Sequence, residues 1–242
     1  MPDISIVIPV MNEEESILPL AEKVTRALNG AGRDWECLWI DDASTDSTAD
    51  VLRSLTEDVP RHRSFRATIN RGQSAALAAG FRLARGQILG TLDGDGQNNP
   101  ADLPALLDRL DKDGLDMVNG VRAKRQDAWV RKLSSRVGNG FRNWLTGASV
   151  TDVGCAIRVF RKECILRIPV FRGMHRFLPT LVQMQGFRIT EQPVDHRQRE
   201  RGLTKYGIGN RLWVGIGDTL AVRWMQRRVV WDLATTATRT GH

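Results

Sequence analysis

The chain has 242 residues, of which 41% are hydrophobic and 26% are charged. This is the balance of a folded globular protein, and it excludes a wholly disordered chain. The three cysteines lack CxxC spacing, which excludes a zinc or disulfide framework, and we expect them to be reduced. The chain opens with "MPDISIVIPV" and lacks an apolar run of the roughly 20 residues that a membrane span needs. We therefore expect neither a signal peptide nor a membrane-spanning helix.

The net charge of +7 is unevenly distributed along the chain. Residues 1–60 contain 4 Lys or Arg and 13 Asp or Glu, residues 61–194 contain 22 and 11, and residues 195–242 contain 9 and 4. An acidic beginning followed by a basic remainder favours a negatively charged partner. Nucleic acid, an anionic membrane surface and a phosphorylated substrate all satisfy this condition, and a merely solvated basic surface is the alternative.

Apolar runs alternate with helical patterns over the first 122 residues. Strands are predicted for residues 4–10, 35–42, 65–70, 87–93 and 116–122. Helices are predicted for residues 13–30, 48–57, 74–86 and 100–114, with Pro19 either kinking the first helix or delaying its start. This alternation predicts an α/β fold with a doubly wound, mostly parallel sheet. Ligands on such sheets bind at the carboxyl ends of the strands.

The alternation ends after about residue 122. Residues 122–145 are basic and predict a loop followed by a helix, residues 155–163 a strand, residues 176–186 a helix broken near Pro179, and residues 187–207 a strand leading into a basic loop. The last segment, residues 208–231, predicts an amphipathic helix. Its apolar face would consist of Trp213, Ile216, Leu220, Trp224 and Trp231.

The stretch "LGTLDGDGQNNP" places Asp93 and Asp95 two residues apart, directly after a predicted buried strand. An EF-hand is excluded, because its sixth and twelfth positions, counted from Asp93, would be Asn98 and Pro104 rather than glycine and glutamate. A turn rich in Gly, Asp and Asn is one remaining interpretation. The other is a Mg²⁺ or Mn²⁺ site with Gln97 as a further oxygen ligand, which the position after a strand favours.

A second acidic pair, Asp41 and Asp42, ends the second predicted strand, and Glu13 follows the first. The following "ASTDST" supplies good helix N-caps, but a cap does not require the two aspartates. Carboxylates in this position can accept hydrogen bonds from a base or a ribose. The chain has no GxGxxG after its first strand and no GxxxxGK[ST], which argues against a nicotinamide dinucleotide site and a P-loop.

Four stretches together resemble glycosyltransferase family 2, which has the GT-A fold: "ISIVIPVMNEEESI", "WIDDASTDST", "NRGQSAALAAG" and "LDGDGQNNP". The last is similar to the DxD metal motif of that family. Further on, "TDVGCAIRVFRKE" and "RERGLTKYGIGNRLWVGI" resemble the polyprenyl-phosphate hexose synthases of the dolichol-phosphate mannose synthase type. The resemblance extends from about residue 4 to residue 228. It implies a GT-A catalytic domain over residues 1–206 and a membrane-proximal helical tail over residues 207–242.

The resemblance also implies roles for individual residues. The residues implied to contact the nucleoside of a nucleotide-sugar are Pro9, Glu13, Asp41 and Asp42. The residues implied to form the floor of the donor pocket are Asn70 and Gly72. The divalent metal, Mg²⁺ or Mn²⁺, would be held on the donor diphosphate by Asp93, Asp95 and Gln97. The sugar and acceptor end would be lined by Asp152 and Arg158, and the phosphates would meet Arg201, Thr204 and Lys205.

Catalysis is predicted to involve Asp95, Asp152 and Arg158. Asp152 would orient the attacking phosphate or act as base, and a structural carboxylate capping a loop is the alternative.

The implied reaction is an inverting transfer of a hexose to a polyprenyl phosphate of the undecaprenyl or dolichyl type. GDP-mannose is the first expected donor and a UDP-hexose the second. The basic stretches "RAKRQ" and "HRQRERGLTK" are expected to bind the lipid phosphate and anionic headgroups. The segment from Trp213 to Trp231 would lie in the membrane interface or pack as an ordinary helix. We expect a peripheral location on the cytoplasmic membrane face, and a separate membrane anchor protein stays open as a partner.

Three other interpretations compete with this one. A family 2 enzyme with a polysaccharide or lipid-A-type acceptor is the first, and the "GLTKY" stretch argues against it. A basic nucleic-acid-binding protein, suggested by the pI of about 9.9, is the second. It does not explain five carboxylates at strand ends, which would repel a phosphate backbone, so we expect no nucleic acid partner. A catalytically silent scaffold is the third, and the intact Asp93 and Asp95 argue against it.

Overall fold

The computed structural model describes residues 1–122, 147, 150–195 and 210–229, with side chains of the last segment described from residue 215. Within these described residues, one sheet contains seven strands: β1 (Ile4–Val10), β2 (Trp35–Asp41), β3 (His62–Arg66), β4 (Ile88–Thr91), β5 (Met117–Arg122), β6 (Arg158–Arg161) and β7 (Ile189–Val194). The described α-helices are α1 (Ile17–Asn29), α2 (Thr48–Asp58), α3 (Gln73–Leu83), α4 (Leu103–Lys112), α5 (Leu178–Met184) and α6 (Asn210–Arg228). Short 3₁₀ turns occupy Pro100–Asp102, Lys162–Ile165 and Met174–Arg176.

The strands lie in the order β3-β2-β1-β4-β6-β5-β7. β1 pairs in parallel with β2 on one side and β4 on the other, and β2 pairs in parallel with β3. β6 lies between β4 and β5 and is antiparallel to both, whereas β5 and β7 are parallel. The predicted doubly wound, mostly parallel sheet is therefore confirmed.

The central strands are buried on both faces, which explains why they appear in the sequence as continuous apolar runs. Ile4, Ile6 and Ile8 of β1 point into a core shared with α1 and α4. Val7 points to the opposite face, into a core shared with α3 and α5. Because successive strand side chains alternate between faces, β1 anchors both layers of helices.

Two prolines that lie inside predicted helices occupy the first turns of the observed helices. Pro19 is the third residue of α1, within the first turn, where a backbone N–H has no partner inside the helix. Pro179 is the second residue of α5 rather than a break in it. Its fixed φ suits a first turn, and the predicted break was therefore wrong. The strand predicted at residues 65–70 is β3, which begins earlier, at His62.

The predicted C-terminal helix is present as α6. Of its predicted apolar face, Leu220 and Trp224 are 52% and 62% exposed, whereas Thr219 and Val222 are buried against the domain. The side chains of Trp213 and Trp231, and residues 123–145 and 196–207 with their predicted loops and helix, lie outside the described residues. A division of the chain at residue 206 therefore stays a prediction. None of the described helices has the length and apolarity to cross a membrane.

His62 begins β3 in a buried network that fixes its protonation state. Its side chain is 2% exposed, and Trp39 Nε1–H donates to its Nδ1 over 3.0 Å. Nε2 lies 3.0 Å from Thr25 Oγ1 and carries the ring hydrogen, since Nδ1 is the acceptor. A second ring proton would face the Trp39 donor. Burial accordingly lowers the pKa of His62 to about 4.

This network predicts a loss of stability in mild acid. A histidine with a pKa near 6.5 when unfolded and about 4 when folded stabilises the fold fully above pH 6.5. That contribution is lost as the pH falls from 6.5 toward 4, by up to about 3 kcal/mol. We expect urea unfolding to show a smaller acid-induced loss in His62→Gln, whose amide keeps both hydrogen bonds without titrating. Identical pH profiles in the two proteins would contradict this account.

Candidate functional site

The loops that follow β1 and β2 are tied together by hydrogen bonds at the carboxyl edge of the sheet. Asn12 N–H donates to Ser44 Oγ over 2.9 Å, and Thr45 N–H donates to Asn12 Oδ1 over 2.8 Å. Glu13 N–H donates to Thr48 Oγ1 over 2.9 Å. These contacts join residues that are more than thirty positions apart in sequence. They hold half-buried Glu13 beside the end of β2, where the sequence places the second acidic pair.

Asp42 positions the loop that leads into α3. Its two carboxylate oxygens accept the backbone N–H groups of Arg71, over 2.9 Å, and Gly72, over 2.6 Å. Its carbonyl oxygen accepts from Asn70 Nδ2 over 3.3 Å. Gly72 has φ +86°, a conformation that strongly favours glycine, so the loop depends on this residue. Asn70 and Gly72, the predicted pocket floor, are therefore brought to this edge by Asp42.

Asp41 has one carboxylate oxygen that is not hydrogen-bonded within the described residues. Its Oδ1 accepts from Ser44 N–H over 2.8 Å. Its Oδ2 is buried, and Arg66 Nε lies 3.4 Å away, too far for a good hydrogen bond. Buried Pro9 lies on the adjacent strand, one position before the partner of Asp41. An acceptor in this state suits a ligand that brings its own N–H or O–H group.

Asp93 and Asp95 lie in the loop after β4, next to the start of α3. Gln73 Nε2–H donates to Asp93 Oδ1 over 2.8 Å, and Asn98 Oδ1 accepts the Asp93 N–H over 2.9 Å. Gln97 N–H donates to Asp95 Oδ1 over 3.1 Å. Burial, and then the negative charge of Asp95, raise the pKa of Asp93 to about 6. The two carboxylates therefore repel one another across a partly desolvated loop.

This loop fits a hard divalent cation. A cation would relieve the repulsion between Asp93 and Asp95, and the carboxamide of Gln97 is close in sequence as a further oxygen donor. The described residues contain no cluster of three or more His, Cys, Asp or Glu suited to a metal. Mg²⁺ commonly uses only one or two carboxylates and completes its coordination with water and substrate phosphates. The donor set is thus that of a shared site, completed by a phosphorylated ligand.

Asp152 forms a buried ion pair with Arg122 at the end of β5. Arg122 Nε and Nη2 donate to the two carboxylate oxygens over 2.7 and 2.8 Å, and Gly154 N–H donates to Oδ1 over 3.2 Å. The exposed fractions of the two side chains are 16% for Arg122 and 6% for Asp152. This geometry favours a positioning role for Asp152. It also shows Arg122, the first residue of "RAKRQ", bound to a carboxylate inside the protein.

Arg158 lines a pocket beside Asp93 that we call the inner pocket. Its volume is about 210 Å³, and its lining consists of Gln73, Leu77, Thr91, Leu92, Asp93, Val153, Gly154, Ala156, Arg158, His175, Arg176 and Leu178. Arg158 is 3% exposed and donates through Nη1 and Nη2 to the carbonyl oxygens of His175 and Cys155. The pocket is smaller than the roughly 300 Å³ at which drug-sized ligand sites begin, so it suits a small polar group.

Among the lining residues that were not identified from the sequence, three carry nitrogen groups that could meet a ligand: Gln73, His175 and Arg176. Gln73 directly follows Gly72 in "NRGQSAALAAG", which is the signal that could have revealed it. His175 Nδ1 lies 2.9 Å from Ser74 Oγ. The same Ser74 oxygen accepts a hydrogen bond from Gly173 N–H over 3.1 Å. Burial lowers the pKa of His175 to about 4, so this side chain is neutral. His175 and Arg176 occupy a short turn whose sequence shows no motif.

The structure thus brings the predicted residues together in two adjoining groups. The first, at the ends of β1 and β2, contains Pro9, Glu13, Asp41, Asp42, Asn70 and Gly72. The second, around the inner pocket, contains Asp93, Asp95, Gln97, Asp152 and Arg158. Gln73 connects them, because it follows Gly72 and donates to Asp93. The remaining predicted residues, Arg201, Thr204 and Lys205, lie outside the described residues.

Known proteins that are similar to this chain indicate its family. The model of the family described as Glycosyl transferase family 2 matches residues 5–168. The chain belongs to glycosyltransferase family 2. It is 36% identical over 229 residues to a dodecaprenyl-phosphate galacturonate synthase from Rhizobium johnstonii, covering 93% of this chain and 68% of that protein. It is 37% identical over 207 residues to an undecaprenyl-phosphate 4-deoxy-4-formamido-L-arabinose transferase from Edwardsiella ictaluri, covering 85% and 63%.

The chain therefore spans about two thirds of the length of these relatives. Their names confirm the resemblance to transferases that use polyprenyl phosphates, and the chain is an enzyme, a glycosyltransferase.

Solved structures confirm the GT-A fold. A mannosyltransferase from Pyrobaculum calidifontis, solved with GDP-mannose and Mn²⁺, matches with a TM-score of 0.62 and 21% identity, covering 93% of this chain and 64% of that one. A glucosyl-3-phosphoglycerate synthase from Mycobacterium tuberculosis matches with a TM-score of 0.69 and 17% identity, covering 96% and 82%. At these identities the likeness concerns the fold alone.

Gly94, between the two aspartates, generates the first prediction for this site. A Cβ on Gly94 would lie 2.6 Å from Val10 Cγ1 and 3.0 Å from Pro9 O, so the loop must move away from β1 to accommodate it. We expect Gly94→Ala to weaken Mn²⁺ binding about 10-fold, because metal ligands tolerate little displacement. Calorimetric titration with Mn²⁺ in the presence of a nucleoside diphosphate measures this.

Gly30→Ala is the matched control for Gly94→Ala. Gly30 has φ −75°, and the nearest atoms to a Cβ there are 3.6 Å away, so an alanine fits without displacement. We expect this variant to bind Mn²⁺ like the wild type. Wild-type affinity in Gly94→Ala would contradict the placement of the metal between the flanking aspartates.

The ion pair between Asp152 and Arg122 generates a second prediction. If Asp152 acts by fixing Arg122, then Asp152→Asn and Arg122→Gln remove the same interaction. We expect each to lower kcat/KM about 10- to 100-fold and the double variant to be little worse than either, which is a coupling of about 1–3 kcal/mol. If Asp152 is instead a base, Asp152→Asn alone would remove the acidic limb of the pH–rate profile. Additive losses would contradict the positioning role.

Proposed function

We propose that this glycosyltransferase moves a sugar from a nucleotide-sugar to a polyprenyl phosphate, with inversion at the anomeric carbon. The observation that carries the proposal is the pair Asp93 and Asp95, of which Asp93 lines the inner pocket. One side of this pair adjoins a buried acidic edge suited to a nucleoside, and the other adjoins a pocket of about 210 Å³ suited to one sugar. A diphosphate bridging the two would lie across the metal-binding loop.

The named relatives support a polyprenyl phosphate as acceptor. The two relatives differ in the sugar that their names give, a galacturonate in one and a formamido-arabinose in the other. They agree on a polyprenyl phosphate. GDP-mannose, the donor expected first from the sequence, stays a prediction, and a UDP-linked sugar stays its alternative. The solved mannosyltransferase with GDP-mannose and Mn²⁺ is similar to this chain in fold alone, so the likeness does not distinguish between the two donors.

The donor site is assembled from positions already described. Asp41 Oδ2, buried and without a hydrogen bond within the described residues, is proposed to accept from the nucleoside, with Pro9 and Glu13 beside it. Asp42 holds Asn70 and Gly72 in the loop that forms the pocket floor. Gln73 orients Asp93 toward the diphosphate. Asp41 Oδ2 is thus left for a donor group of the ligand, whereas Asp42 and Gln73 position the loops around it.

The reaction replaces one bond at the anomeric carbon with another. An oxygen of the acceptor phosphate attacks C1 of the sugar as the bond to the nucleoside diphosphate breaks, and the leaving group keeps the bonding electrons. A phosphate monoester has its second pKa near 6, so most of it is dianionic at neutral pH. No proton needs to be removed from the nucleophile, which agrees with an Asp152 that is engaged by Arg122.

Asp93, Asp95 and Gln97 are proposed to hold Mg²⁺ or Mn²⁺. When bound, the cation supplies Lewis-acid stabilisation of the charge on the departing diphosphate. Arg158, whose charge acts on Asp93, adds positive charge on the sugar side of the same loop. Preorganised charges of this kind act strongly in a partly desolvated site.

We further propose a peripheral location on the cytoplasmic face of a membrane, where a lipid phosphate is accessible. The exposed Leu220 and Trp224 of α6 support this placement, since aromatic and aliphatic side chains favour the interface. Anionic headgroups and the acceptor phosphate are proposed to bind Lys124 and Arg125 of the first basic stretch and residues 196–205 of the second, with Arg201, Thr204 and Lys205 among them. Arg122 is left out of this role, because Asp152 holds it inside the protein. A separate anchor protein stays an open partner.

A transfer assay tests the proposed function. Radiolabelled GDP-mannose, UDP-glucose and UDP-galacturonate are each incubated with undecaprenyl phosphate and Mg²⁺ or Mn²⁺. We expect an organic-extractable labelled product from at least one donor, and we expect EDTA to abolish it. Asp95→Asn should lower the rate about 100-fold, because it removes one anionic metal ligand and keeps the shape of the loop.

Asp58→Asn is the control for the charge change. Asp58 is exposed at the end of α2, away from the site, so this variant should keep wild-type activity. Labelled product on a polysaccharide or lipid-A-type sugar, with none on the lipid phosphate, would replace this proposal by the other-acceptor alternative. Full activity in Asp95→Asn would contradict the metal site.

A further inference from the structure

The inner pocket contains a buried positive charge, Arg158, that has no carboxylate of its own within the described part of the chain. Arg158 is 3% exposed, and its two hydrogen bonds within the described residues go to neutral carbonyl oxygens. Its Nε is buried and has no hydrogen-bond partner within the described residues. A buried guanidinium left in this state is costly, because desolvation is offset only by hydrogen bonds and a counter-charge. The pocket wall is therefore prepared for an anionic oxygen.

The carboxylates near Arg158 already have other partners. The negative charges of Asp93 and Asp152 both stabilise the charged form of Arg158. Asp93 accepts from Gln73 and is proposed to bind the metal, and Asp152 is held by both nitrogens of the Arg122 fork. Among the described residues, none forms an ion pair with Arg158 at salt-bridge distance. A ligand anion would supply the missing partner.

Arg176 adds a second guanidinium to the same wall. Its Nη2 donates to Asp218 Oδ2 of α6 over 3.1 Å, which leaves its Nε buried and without a hydrogen-bond partner in the described part of the chain. Between the two arginines lies neutral His175. Gly173 N–H already donates to Ser74 Oγ, so the Ser74 hydroxyl can donate to His175 Nδ1, and Nε2 then carries a hydrogen. Three residues that carry N–H donors, Arg158, His175 and Arg176, thus line a pocket of sugar size.

We propose that Arg158 and Arg176 recognise a carboxylate on the transferred sugar, so that the enzyme prefers a nucleotide-linked hexuronic acid to the corresponding neutral hexose. This inference rests on the proposed function, whose sugar it specifies. Arginine is the residue best suited to a carboxylate, because its planar fork of N–H donors matches the two oxygens. A neutral CH₂OH group in the same place would leave a buried guanidinium without a counter-charge.

The acceptor phosphate is the other source of an anion, and the inner pocket suits it less well. The pocket lies behind Asp93 and is walled by apolar side chains such as Leu77, Leu92 and Leu178. Those side chains are buried in the domain core. The sugar of a donor whose diphosphate meets Asp93 and Asp95 would enter this pocket. The lipid phosphate must instead approach with its prenyl chain still in the membrane.

The test compares donors that differ only at C6. For wild-type enzyme with undecaprenyl phosphate, we expect kcat/KM to be at least about 10-fold higher for UDP-galacturonate than for UDP-galactose. Arg176→Gln should lower kcat/KM for UDP-galacturonate about 10- to 100-fold, as the loss of a charge-assisted hydrogen bond implies, and change UDP-galactose less than about threefold. Calorimetric binding of the two donors with Mn²⁺, without acceptor, should show the same preference.

Two control variants separate the carboxylate contact from a structural effect. Asp218→Asn removes the ion pair between α6 and Arg176 but leaves the guanidinium in the pocket, so the preference for UDP-galacturonate should persist. Arg82→Gln makes the same chemical change at an exposed position on α3 and should leave both donors unaffected. If Asp218→Asn reproduces the loss seen in Arg176→Gln, Arg176 acts through the helix contact and the inference is wrong.

The remaining outcomes also decide the inference. A wild-type preference for the neutral donor, or equal losses with both donors in Arg176→Gln, would overturn it. An increase in the KM for undecaprenyl phosphate alone would assign the anion site to the acceptor and overturn the carboxylate assignment. If no donor yields a lipid product, the proposed function fails, and the acceptor-free binding of the two donors still decides whether the pocket selects a carboxylate.

Discussion

The parallel pairing of β1 with β2 on one side and with β4 on the other determines where the acidic residues of the site lie. In this register Val10 is the partner of Asp41, and Val7 is the partner of Thr91, two residues before Asp93. The strands are held in place by burial of their apolar side chains on both faces. The carboxylates that follow them, from Glu13 to Asp95, therefore meet at one edge, although they are spread over about eighty residues of sequence.

Bringing like charges together has a cost that the loops are built to offset. Asp42 is stabilised by two backbone N–H groups, Asp152 by the fork of Arg122, and Asp93 by Gln73. Two non-glycine residues of these loops, Asn12 and Ala43, have φ of +53° and +61°. Such conformations cost of order 1 kcal/mol and persist where surrounding contacts enforce them. Here the contacts are the hydrogen bonds that join the loops after β1 and β2.

Much of the fold could be predicted from the sequence because its first half is a regular alternation of apolar strands and amphipathic helices. β1 was predicted to the residue. β3 was predicted too late, since "HRSFR" has no apolar run, and its first residue is buried through the network of His62 with Trp39 and Thr25. The antiparallel insertion of β6 between β4 and β5 was beyond reach, because strand order is set by long-range packing rather than by local pattern.

The residues of the candidate site also divide into those that a sequence pattern reveals and those that it does not. Carboxylates after strands, such as Asp41 and Asp93, are visible as a pattern, whereas Asp152 and Arg158 were found only through the family resemblance. His175 and Arg176 could not be found, because a short turn without a motif carries them to the pocket from about eighty residues beyond Asp93. Their importance comes from what surrounds them in space, chiefly Arg158, whose buried Nε has no hydrogen-bond partner among the described residues.

We propose that the edge formed by β1, β2 and β4 holds a nucleoside diphosphate through a divalent metal between Asp93 and Asp95. The most direct test is the position of the anomalous scattering peak of Mn²⁺ in crystals grown with Mn²⁺ and a nucleoside diphosphate. We expect one strong Mn²⁺ peak within coordination distance of both the aspartate pair and the diphosphate. A diphosphate bound at this edge without such a peak, or a peak at other residues, would contradict it.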